Sequence, residues 1–144
     1  MEQHDTTNLL KECDSGTKMA VSAIDEVLEY VKDGQLRLLL EKSRGHHKKL
    51  GDEIHTLLLA RKSEEKDPPL AAKGMSWMKT NLKMTLDERD STIADLITDG
   101  CAMGIKSLHR YLNQYTKADP IACDICRRLA AIEEELWRDL RAFL

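Results

Sequence analysis

The chain has 144 residues, the size of one ordinary domain, and needs no disulfide or metal staple to form a core. Aromatic residues make up 4% and charged residues 33%, and 7 Gly with 3 Pro are too few for the turns of a sandwich or barrel, so most all-β architectures are excluded in favour of long helices. A formal charge of −3 gives no global attraction to nucleic acid or an anionic membrane.

The first twenty residues hold no unbroken apolar stretch, and no apolar run reaches the ~20 residues of a spanning helix, so the expectation is a cytoplasmic protein without a membrane segment. Cys13, Cys101, Cys123 and Cys126 then read as reduced thiols.

Leu10, Cys13, Thr17, Ala20, Ile24, Val27 and Val31 alternate spacings of three and four, an a/d seam that predicts a helix over about 6–32. Asp5, Thr6 and Thr7 are candidate N-caps, and Asp33-Gly34 is the expected stop. After that short break Leu36, Leu40, Ser43, His47, Leu50, Ile54 and Leu57 continue the pattern and predict a second, antiparallel helix over about 35–65. Asp67-Pro68-Pro69 ends it. Met75, Met78, Leu82 and Leu86, with Trp77, make a shorter amphipathic stretch over about 70–86, suited to a crossover; a five-helix up-and-down bundle is the competing layout. Ser91 is the expected cap of a helix over about 91–117 with the seam Ile93, Ile97, Gly100, Gly104, Leu108, Tyr111 and Tyr115. Asp119-Pro120 reads as N-cap and N1 of the last helix, about 120–143, with Ile125, Leu129, Ile132, Leu136, Leu140 and Phe143 inward. The whole is a single all-α domain over 1–144: two antiparallel helical hairpins joined by a long, partly helical crossover.

Hairpin register places His47 opposite Ala20 and Gly104 opposite Glu133, all in one layer near mid-bundle. A buried His needs partners for both ring nitrogens, and a His47–Glu133 hydrogen bond in a metal-free core is the expected arrangement. The alternative is an iron or zinc site centred on His47 and Glu133, with Glu12, His55 and His46 as further N and O donors.

This layout resembles the ferritin-like superfamily, here an uncharacterised bacterial branch. The resemblance implies a four-helix bundle and, in di-iron members, a Glu from each of two helices and a Glu-x-x-His from each of the others. The motif is degenerate in this chain. Arg44 stands three residues before His47, Ser43 before His46, and Leu136 three after Glu133; only Asp52-x-x-His55 keeps the spacing.

Cys123-Asp124-Ile125-Cys126 has the spacing of a redox pair in the first turns of a helix, without a second CxxC to complete a zinc site; small packing residues are the simpler reading. Gly16, Gly45, Gly51, Gly100 and Gly104 fall inside predicted helices at about 1 kcal/mol each relative to Ala. Close helix approach is one offset, with Trp137 filling the space opposite Gly100; a small-ligand pocket at Gly100, Cys101, Gly104 and Trp137 is the other. Basic residues at 42, 44, 48 and 49 and at 127, 128, 138 and 141 are interleaved with acids and read as solvated faces, with no nucleic-acid platform. No nucleophilic triad, phosphate loop or paired catalytic carboxylates marks an enzyme. The leading expectation is a non-catalytic bundle without cofactor that forms a homo-oligomer or binds a protein partner.

Overall fold

The computed structural model describes residues 2–62 and 89–144, which form four α-helices and a short 3-10 turn: α1 (Glu2–Leu28), α2 (Gly34–Ala60), α3 (Asp90–Gln114), α4 (Pro120–Leu140) and the turn Arg141–Phe143. The 70–86 stretch, with the choice between a crossover and a fifth helix, lies outside the described residues. Among the described residues no helix is long and apolar enough to cross a membrane.

Heptad seams account for the helices. In α1, Leu10, Cys13, Thr17, Ile24 and Val27 are buried as their spacing predicts, and Ala20 is half-buried. The helix starts earlier and ends earlier than the seam implied, because the chain turns after Leu28 through amide-to-carbonyl bonds from Tyr30 to Val27 and from Val31 to Leu28. Its exposed carbonyl end is closed from α2: the Arg37 guanidinium donates to the carbonyls of Leu28 and Val31 at 3.0 and 3.1 Å.

The Asp33-Gly34 stop works differently from expectation. Gly34 is the first residue of α2, and among the described residues no Gly has a positive φ. Asp33 is the N-cap of α2, accepting from the Leu36 amide at 3.0 Å. The amides of Lys32 and Asp33 donate to the Asp90 carboxylate at 3.0 and 2.9 Å, so the hairpin turn is held by the first residue of α3. Ser91, the expected cap, is inside α3; Arg89 takes the N-cap position, and its side chain does not cap the helix. Asp119 caps α4 as expected, accepting from the Ala122 amide at 2.9 Å, with Pro120 in the first turn.

At the other end of α2 Leu58 is buried where the seam named Leu57, which is half-buried. In α3 Cys101 is buried where the seam named Gly100. Both displacements have one cause: a straight helix turns at 3.6 residues and drifts from a strict 3.5-residue repeat.

Contacts along the helices define their directions. Thr7 with Arg61 and Asp25 with Arg44 make α1 and α2 antiparallel. Glu53 with Arg128 and Lys42 with Glu135 make α2 and α4 antiparallel. Thr6 with Asp119, 113 residues apart, and Gly16 with Leu129 make α1 and α4 parallel. Asp90 at the end of α1 and Glu12 beside Tyr111 make α3 antiparallel to α1. The order is therefore up, down, down, up. Helices α1 and α4 touch across the bundle, while α2 and α3 do not come into comparable contact, so the cross-section is a rhombus with α1–α4 as its short diagonal.

Two apolar clusters fill the interior. One gathers Ile24, Val27, Leu36, Leu40, Ile93, Ile97, Leu136 and Leu140 around the α1–α2 turn. The other gathers Leu9, Leu10, Leu50, Ile54, Leu58, Leu108, Ile125 and Leu129 at the opposite end. Ser43, His47 and Glu133, absent from both clusters, form the buried polar layer at mid-bundle.

Candidate functional site

The polar layer is built from α2, α3 and α4. His47 comes from the α2 seam and is fully buried; Glu133 comes from α4 and is 8% exposed. The His47 Nε2–H donates to Glu133 Oε1 at 2.8 Å, and the Nδ1–H donates to the Ser43 carbonyl, one turn earlier, also at 2.8 Å. Ser43 Oγ lies 3.4 Å from Nδ1. A neutral imidazole carries a single N–H and cannot donate to two acceptors, so this environment selects the imidazolium against the Glu133 carboxylate. Burial alone pushes the His47 imidazole down; the hydrogen bond and charge of Glu133, with the Ser43 carbonyl, outweigh burial and hold it above its ordinary value.

Two α3 residues complete the layer. A Cβ built on Gly104 would lie 3.7 Å from Glu133 Cδ, so the register that paired Gly104 with Glu133 is observed, and the small residue leaves room for the carboxylate. The Cys101 thiol hydrogen-bonds the same carboxylate, and burial followed by the Glu133 charge raises its pKa far above the usual thiol range. Cys101 is therefore a protonated donor. Sequence reasoning placed Cys101 in a pocket and missed its bond to Glu133; the available signal was the i, i+4 step from Ile97, in place of the strict heptad that selects Gly100.

The remaining donors proposed for a metal stand elsewhere. His46 is half-buried on the α2–α4 flank, near Lys42, Glu135 and Asp139. His55 is exposed. Glu12 hydrogen-bonds Tyr111, whose hydroxyl is raised to about 12 by burial and by that carboxylate. Among the described residues no group of three or more His, Cys, Asp or Glu side chains is arranged to hold a metal ion. The di-iron ligand set that the resemblance implies does not fit these residues: among the described residues His47 and Glu133 share mid-bundle, and each is turned on the other.

The Gly100 expectation is corrected. Gly100 is exposed, and a Cβ there would meet nothing within 4 Å, so neither a close approach nor Trp137 fills space against it. Trp137 is 36% exposed, with the Arg141 guanidinium 5.0 Å from its ring centroid. Close approach occurs at Gly16 and Gly51, where an added Cβ would lie 3.4 Å from Leu129 Cδ2 and 3.2 Å from Thr17 Oγ1 respectively.

The Cys123-x-x-Cys126 reading is also redirected. Cys123 is half-buried and its thiol points to the Ala118 carbonyl at 3.7 Å. Cys126 is buried, donates to the Leu108 carbonyl at 3.5 Å, and hydrogen-bonds Cys13 of α1. All four cysteines are free thiols. On the surface, basic residues engage acids as interleaving implies: Arg44 with Asp25, Arg128 with Glu53 at 2.6 Å and Lys42 with Glu135 at 3.3 Å.

Comparison with family models, with curated proteins and with solved structures returns no match for this chain.

Proposed function

We propose that this chain is a non-catalytic, ferritin-like bundle whose mid-bundle metal site has been replaced by a buried ion pair, and that it acts through its surface as an oligomerising or protein-binding module. One observation carries this reading. Both ring nitrogens of His47 are engaged, by Glu133 and by a main-chain carbonyl at 2.8 Å, so neither presents a lone pair to a metal or a substrate. The up-down-down-up helix order supports the ferritin-like part of the proposal. A groove of about 310 Å³ between α2 and α4, lined by Leu57, Ile121 and Ile125 and rimmed by Glu53, Asp124 and Arg128, supports recognition at the surface.

The test is elemental analysis of protein purified without chelator or immobilised metal, paired with sedimentation equilibrium. Substoichiometric metal, an unchanged melting temperature on adding iron or zinc, and self-association are expected. Stoichiometric iron or zinc that disappears in His47→Ala would overturn the metal-free reading in favour of a metal protein centred on His47 and Glu133. A monomer at every concentration would remove self-association.

A further inference from the structure

Small residues bring α1 and α4 together along the short diagonal of the bundle. Asp119 donates its amide to Thr6 Oγ1 at 2.9 Å across a separation of 113 residues, and Gly16 meets Leu129 at the same separation. These contacts set the parallel register on both sides of Cys13 and Cys126, which share that offset and therefore face each other. Both thiols are 0% exposed, belong to the same apolar cluster and hydrogen-bond each other, while Cys126 also donates to the Leu108 carbonyl.

We propose that Cys13 and Cys126 are an oxidative modification site: hydrogen peroxide converts them to a reversible disulfide that joins the two helical hairpins through the core. The thiols divide the work. The hydrogen bond from Cys13, with the charge of Arg127, lowers the Cys126 thiol, whereas the same pairing and burial raise Cys13. Cys126 is the attacking sulfur. Its thiolate takes one peroxide oxygen as the O–O bond breaks, and the departing hydroxide combines with the thiol proton, leaving a sulfenic acid and water. The Cys13 sulfur then displaces the sulfenic hydroxyl, which leaves as a second water with the Cys13 proton. In sum, two thiols and one peroxide give one disulfide and two waters. Bond formation draws the sulfurs to ~2.05 Å, a closure helped by the small side chains between these helices.

The reduced chain is treated with hydrogen peroxide, alkylated and digested with trypsin without reductant. Cys13 lies in the fragment 12–18, while Cys123 and Cys126 share the fragment 118–127, so Cys123→Ser assigns the partner. A cross-link between these fragments, with a mass loss of two hydrogens, is expected in the wild type, Cys123→Ser and Cys101→Ser. It should disappear in Cys13→Ala and Cys126→Ala, with helical circular dichroism confirming that both fold. Dithiothreitol should restore both thiols, and the oxidised chain should unfold at higher urea than the reduced one. The proposal is overturned by Cys13 and Cys126 remaining reduced while the urea-unfolded chain oxidises, as small packing residues would behave. It is equally overturned by a Cys123–Cys126 bond, by a bond only between chains, or by a cross-link without any rise in the urea midpoint.

Discussion

Glu133→Gln keeps the volume and an acceptor oxygen beside His47 while removing the charge that holds the imidazolium. In the wild type the His47 pKa is raised in the folded state, so its stabilising contribution is complete below the unfolded value of about 6.5 and is lost as pH rises through the folded pKa. Above that point the ring retains one proton, and either Nδ1 faces the Ser43 carbonyl or Nε2 faces the Glu133 carboxylate without a donor. In Glu133→Gln burial dominates, the imidazole pKa falls, and the sign reverses: that variant gains stability as pH rises through the His47 range. The magnitude follows from exchanging a charge-assisted bond, ~1.5–3 kcal/mol, for a neutral one, ~0.5–1.5 kcal/mol, a loss of about 1–2 kcal/mol near pH 6. Against a total stability of roughly 5–15 kcal/mol, the variant still folds. Urea unfolding followed by helical circular dichroism, from pH 5.5 to pH 9, reads both quantities. Parallel stability profiles for the two proteins across that window would refute the ion pair.

The glycines separate by what their missing Cβ would meet. Gly45→Ala and Gly100→Ala, with nothing within 4 Å, should each stabilise by about 1 kcal/mol, whereas Gly51→Ala should lose that gain. The reason is Thr17 Oγ1 at 3.2 Å, a hydroxyl already tied to the Asp14 carbonyl at 2.9 Å; equal urea midpoints for all three variants would contradict this. Asp90→Ala should cost about 1–2 kcal/mol by freeing the Lys32 and Asp33 amides, and faster hydrogen exchange at those two amides is the signature. Arg128→Ala, which removes an exposed ion pair with Glu53, should cost no more than about 1 kcal/mol, and a loss above 2 kcal/mol in urea unfolding would show that the pair also supports packing.

Periodicity made most of the bundle legible. The seams of α1 and α2, the Asp119-Pro120 start of α4 and the register that pairs Gly104 with Glu133 follow from local spacing, because each hairpin is closed by a short turn that admits one antiparallel arrangement. The His47–Glu133 bond was legible for the same reason: hairpin register brings His47, a polar residue of the α2 seam, and Glu133, opposite Gly104, to one layer. Side-chain pairing across the diagonal was not, since no short turn links α1 to α4. Cys126 was therefore read against Cys123 on its own helix, although the parallel packing of α1 turns it to Cys13. Asp90 likewise fell between the predicted stretches 70–86 and 91–117, and nothing local marked it as the acceptor closing the α1–α2 turn.

Composition and spacing by themselves determined that this chain is helical, where its hairpins turn, and that one histidine and one carboxylate share its middle. Tertiary structure decided which partners those buried groups take: a main-chain carbonyl and a thiol complete the ion pair, Gly100 faces water, and two cysteines from the first and last helices meet in the core. Hairpin register is a local property, governed by turn length and the 3.6-residue repeat, whereas contact across a bundle diagonal depends on how closely four packed surfaces let two helices approach.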